Sequence, residues 1–166
     1  MSFGSQTTTS PAPYCYSAHL LIANFLIAYI FTATRVPKLL LGLDHNVSPR
    51  EDLTGHGPRA VEKGRMSQAQ LDSLKRLQAA HENSMEHFPL FAAAISMATF
   101  GGLGADTVNK LGLLYTVLRV VYVIAYWKGV NVQISWIRSI VYWAGNITCL
   151  RLIWLAGAAI NAGRKQ

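Results

Sequence analysis

Four uncharged or nearly uncharged stretches, at residues 14–34, 89–105, 108–127 and 136–161, set the terms for this chain. Each comes close to the roughly 20 apolar residues that a helix needs to cross a bilayer core. Inside lipid the backbone finds no water, so segments of this kind satisfy their own hydrogen bonds as helices. Only 14% of the 166 residues are charged, against roughly 25% in soluble domains. The expectation is an all-α membrane protein, a four-helix bundle with four transmembrane helices in one domain spanning residues 14–166. Residues 1–13, rich in Ser, Thr, Gly and Pro, are expected to form a disordered tail.

The formal charge of +7 does not point to nucleic acid, because of where the charges fall. Eight of the fifteen Lys and Arg lie between Arg35 and Arg76, interleaved with five acids. A mixed segment of this sort beside a span is a positive-inside loop rather than a track for phosphates. It places the loops at 35–67 and 128–135 in the cytoplasm and both termini on the other side. The loop at 42–67, long and without periodicity, is either functional or disordered. Ser67 and Gln70 have the spacing of a capping box, so the second helix is expected to start there and run to about Phe100.

That second helix carries the most unusual residues in the chain. Arg76, Ala79, Asn83, Glu86 and Leu90 fall on one stripe, since a helix turns about 100° per residue. Ionisable groups entering lipid usually face a bundle interior or a wet cavity, which makes the stripe a candidate site. The third span holds a matching stripe of Tyr115, Arg119, Tyr122 and Tyr126, within about 60° on one face. Arg119 in mid-membrane needs a partner, and Glu86 on the neighbouring helix is the expected one. Arg151, deep in the last span, is expected to pair inside the bundle as well. Cys15 and Cys149 read as small buried hydrophobes, with no disulfide framework.

Other chemistries find no support. His81 and His87 are six residues apart, whereas helical zinc sites need histidines four apart on one face, so no metal is expected. There is no phosphate-binding Gly-rich loop followed by Lys-Ser or Lys-Thr, and no G-x-S-x-G elbow. Four spans without an internal repeat are few for a carrier.

The residues resemble the MAPEG family, the membrane-associated proteins of eicosanoid and glutathione metabolism. The likeness rests on Ala80-His81-x-Asn83-x-x-Glu86-x-x-Pro89-x-Phe91, on Tyr115-x-x-x-Arg119-x-x-Tyr122-x-x-x-Tyr126, and on Ile137-Arg138-Ser139-x-x-Tyr142. It implies a four-helix subunit, a homotrimer in the endoplasmic reticulum membrane, and glutathione bound between neighbouring subunits beside a lipophilic small molecule. By the same resemblance, Asn83 and Glu86 hold the polar backbone of glutathione, and Tyr122 and Tyr126 line its pocket. Arg138 stabilises the thiolate, with Tyr126 or Ser139 as hydrogen-bond donor, and Arg35 meets a carboxylate. His81, Arg119 and Tyr142 complete the motifs. The family usually has Arg where this chain has Ala79, and Arg76 on the same stripe is the expected substitute. The implied activity is glutathione-dependent conjugation, peroxide reduction or isomerisation. The alternative is a non-catalytic partner that binds lipid and presents substrate to another enzyme, as the five-lipoxygenase-activating member of the family does.

Overall fold

A computed structural model describes residues 13–129 and 131–164, which contain helices and no strand. The expected tail at 1–13 lies outside the described residues except for Pro13. The helices are α1 (Ser17–Leu26), α2 (Arg35–Leu40), α3 (Gly57–Glu62), α4 (Gln68–Phe100), α5 (Ala105–Lys128) and α6 (Val132–Gly163). The segment Ser17–Leu40 forms one span, interrupted by a widened π-type turn at Ile27–Phe31. Thr32 closes that turn: its hydroxyl lies 3.0 Å from the carbonyls of both Ile27 and Ala28.

Ser17–Leu40, α5 and α6 are each long and apolar enough to cross a membrane. At 33 residues α4 is about 50 Å long, polar in its first half and uncharged from Pro89 onward. Its start is set by the capping box: the Gln70 amide donates to Ser67 Oγ at 3.2 Å, and the Ser67 amide donates to Gln70 Oε1 at 2.8 Å. Pro89 sits within the helix without ending it. The link between the last two helices is shorter than expected, because α6 begins at Val132 rather than near Trp136. Asn131 makes this early start favourable by accepting from the Ile134 amide at 3.0 Å.

The core of the membrane half lies where α4, α5 and α6 meet. Phe91, Ala94, Ile95 and Ala98 pack there against Val108, Leu111, Tyr115, Cys149, Leu152 and Ala156. Small residues let these helices come close, which suits packing inside lipid. The Phe91 and Tyr115 rings stack with centroids 4.0 Å apart. Against α5, α1 approaches so closely at Gly112 that an added Cβ would lie 2.7 Å from Leu20 Cδ1. Cys149 is buried and Cys15 half-buried, both free thiols.

The loop at 42–67 is neither extended nor without structure. Leu43, Leu53, Ala60 and Met66 close over Leu71 and Leu74 at the base of α4 to make a second core. Beneath it lies an ion pair, Lys38 Nζ to Asp52 Oδ2 at 2.7 Å, with the Asp52 side chain wholly buried. The other carboxylate oxygen accepts from the His45 amide at 3.1 Å. Burial alone would raise the Asp52 pKa, but the Lys38 ammonium and the His45 amide outweigh it and hold it below the ordinary carboxylate value. This segment is a folded cap on the polar end of the bundle.

Candidate functional site

The polar residues of the bundle form two groups, on opposite sides of α4. The first faces α5 and α6. Arg119 is buried, and its Nη2 donates to the Asn83 side-chain oxygen at 3.0 Å and to the Asn83 carbonyl at 3.2 Å. Its guanidinium carbon lies 4.7 Å from the centre of the Tyr122 ring. Tyr122 continues to Tyr126 and Tyr142, with ring centroids 5.6 and 6.3 Å away. Arg138 closes this group from α6, its guanidinium carbon 4.3 Å above the Tyr126 ring and Nη2 donating to Ser135 Oγ at 3.0 Å. The stack holds the cation in place without neutralising it. Ser139 is exposed and its hydroxyl donates back to the Ser135 carbonyl at 3.2 Å, so that donor is already engaged.

The second group faces the cap. His81 Nδ1 lies 3.0 Å from Thr32 Oγ1, and Thr34 Oγ1 bonds Gln78 Oε1. Arg35 is exposed, 3.7 Å from Asp44 and 3.4 Å from Asn46 Oδ1. Between the cap and α4 opens a polar cavity of about 810 Å³, lined by Arg35, Lys38, Arg50, Lys75, His81 and Glu82 among others. Ala79 is in its wall too.

The reason for the division is helical geometry: His81 and Asn83 are two residues apart, hence about 200° apart around α4. Of the expected site residues, the structure brings together Asn83, Arg119, Tyr122, Tyr126, Arg138 and Tyr142. It leaves Arg35 and His81 on the other side. Arg76 Nε donates to the Trp127 carbonyl at 3.3 Å, at the end of α5, and so does not take the place beside Ala79 expected of it.

Two expected ion pairs are not formed. Glu86 is exposed, and Arg119 turns to Asn83 instead. The buried face of α4 runs through Ala80, Ser84, His87 and Phe91, and Glu86 lies one residue, about 100°, off it. Arg151 is likewise exposed, with no ion-pair partner among the described residues. The inner face of α6 is Gly145, Thr148, Cys149, Leu152 and Ala156, and Arg151 lies about 115° around the helix from the centre of that face.

Sequence reasoning passed over His87, which is buried with Nδ1 3.0 Å from Tyr115 Oη and its ring edge-on to Tyr142 at 5.8 Å. The signal was present: His87 shares the stripe of Ala80, Ser84 and Phe91, spaced four, seven and eleven.

The first three spans, the two stripes, the Arg138 turn and the last span as far as residue 158 lie within a single match. The model of the MAPEG family covers residues 14–158. The chain belongs to the MAPEG family. Members of that family are four-helix membrane bundles, so α4 joins Ser17–Leu40, α5 and α6 as the fourth helix of a multi-pass integral membrane protein. No curated protein and no solved structure matches the chain.

Proposed function

We propose that this MAPEG protein is a membrane-bound glutathione-dependent enzyme acting on a lipophilic substrate, by conjugation, peroxide reduction or isomerisation. The observation that carries the reading is Arg138, a cation fixed over the Tyr126 ring with no acid paired to it among the described residues. A thiol with a pKa of about 8.5 becomes a strong nucleophile when such a cation stabilises its thiolate. Tyr126 is the neighbouring hydrogen-bond donor. Asn83, held by Arg119, offers the amide contacts that a tripeptide backbone needs.

Glutathione on this reading lies between two copies of the chain. One copy cannot present His81 and Asn83 to the same ligand, because they point to opposite sides of α4. The Arg35 and His81 face of one subunit would meet the Asn83, Tyr122 and Arg138 face of the next. The exposed stripe of Glu82, Glu86, Pro89, Ala93 and Met97 along α4 gives such an assembly its contact surface, and a homotrimer in the endoplasmic reticulum membrane is the form proposed.

The second reading, a lipid-binding partner without catalysis, draws support from Ala79 and from Arg76 being engaged at Trp127. One experiment separates the two: thiolate absorbance near neutral pH in purified protein saturated with glutathione. The enzyme reading expects a thiolate signal in the wild type, its loss in Arg138→Ala and partial retention in Arg138→Lys, which keeps charge but loses the planar fork. A wild type without thiolate, together with an Ala79→Arg variant that gains one, would decide for the partner reading.

A further inference from the structure

Near the middle of the bundle, α1, α4 and α5 enclose a second and far smaller cavity, with Asn24, Ser84, Tyr115 and Arg119 in its wall. Its volume of about 10 Å³ is close to what one water requires. Asn24 and Arg119 are each only 3% exposed, and each has one buried polar atom without a partner, Asn24 Oδ1 and Arg119 Nη1. The orientation of the Asn24 amide is fixed by its other end, where Nδ2 donates to the Leu20 carbonyl at 2.8 Å and to Thr116 Oγ1 at 2.7 Å. Because a carbonyl can only accept, the nitrogen must point there and Oδ1 must point away as an acceptor. Arg119 Nη1 can only donate. The nearby hydroxyls are engaged: Ser84 donates to the Ala80 carbonyl at 2.7 Å, Thr116 donates to the Gly112 carbonyl at 2.9 Å, and Tyr115 meets His87.

We propose that this cavity is a hydration site in which one water accepts from Arg119 Nη1 and donates to Asn24 Oδ1. An anion would suit the guanidinium but be repelled by the amide oxygen, whereas water satisfies both. The bridge makes Asn24 a positioning residue. It holds one end of the guanidinium while the other end, Nη2, holds Asn83, so α1 helps set the geometry of a site built on α4, α5 and α6. The bridge stands on the cavity and its two atoms; its consequence for ligand binding rests on the glutathione reading of Asn83.

The test uses the full chain in lipid nanodiscs. Thermal melts compare wild type, Asn24→Leu, Arg119→Met and the double variant, with Asn24→Ser replacing Asn24→Leu if the latter does not fold. Asn24→Leu is expected to lower the midpoint clearly in the wild-type background and much less in Arg119→Met. An electron cryo-microscopy map that resolves ordered water is expected to have a peak within hydrogen-bond distance of both atoms. In titrations with glutathione, Asn24→Leu is expected to weaken binding several-fold, and Asn24→Gln, which keeps an amide with both its donor and its acceptor, to recover part of it. Additive midpoint shifts without a water peak overturn the bridge. Coupled midpoints with unchanged glutathione affinity overturn the positioning role. A wild type that does not bind glutathione refutes the proposed function, and the melts and map still decide the bridge.

Discussion

Lys38 and Arg119 are both buried cations, and the chain stabilises them by different means. Lys38 has a full counter-charge in Asp52 at 2.7 Å. Arg119 has an amide oxygen, a carbonyl and an aromatic face, each carrying partial charge. Removing one member of a buried pair leaves the other uncompensated, so Asp52→Ala should destabilise the cap by about 3–5 kcal/mol. Replacing both, as Lys38→Met with Asp52→Leu, should destabilise it far less; protection of the 42–66 amides from hydrogen exchange reports either result. The same pair gives the cap a pH dependence with a defined sign. Since the Asp52 pKa is lowered on folding, its contribution is present above the ordinary value of 3.8 and is lost as pH falls through the lowered one. Cap protection in the wild type should therefore drop in strong acid. In Asp52→Asn the protection should be lower at neutral pH and change little on acidification.

At the scale of elements, the helices are placed by small residues where they touch and by polar ties at their ends. Gly112 marks a close approach of α1 to α5. Gly112→Val must push Leu20 aside, and overpacking of this kind costs about 1–3 kcal/mol. Gly157→Ala on α6, where an added Cβ meets nothing within 4 Å, is the control and should keep or raise the melting midpoint, since Ala is the better helix former. At the polar end, α4 is tied to the end of α5 twice, by Arg76 to the Trp127 carbonyl and by Trp127 Nε1 donating to Ser73 Oγ at 3.2 Å. These ties accord with the rotation of α4 in which Asn83 rather than Glu86 meets Arg119.

For the molecule as a whole, the folded cap and the Arg138 turn lie at the same end of the bundle. The density of Lys and Arg between residues 35 and 76 sets the prediction that this end is cytoplasmic. Single cysteines introduced as Ser48→Cys and Gln133→Cys, in a Cys15→Ser background, should both react with an impermeant reagent only from the cytoplasmic side. Reaction from the opposite side alone would invert the topology. The division of polar residues between two sides of α4 also belongs to this scale, because on the glutathione reading proposed above it leaves a single copy with only part of the receptor.

What the amino-acid sequence determined by itself was everything that depends on neighbours along the chain. The capping box at Ser67 follows from a spacing of three residues and the inward stripe of Tyr115, Arg119 and Tyr122 from a repeat of 3.6, and both are found in place, whereas the ends of the first and last spans differ from those expected. The family followed too, since its motifs are written on single helices. What tertiary structure alone decided was the partner of each charge. Asn83 and Glu86 differ by about 60° around α4, and only the docking of α5 selects between them. Arg151 was turned outward by the way Gly145, Cys149 and Leu152 pack, and Lys38 found Asp52 across fourteen residues through a cap whose core has no local period. Periodicity states which residues share a face; it does not state which way that face is rotated when the helices meet.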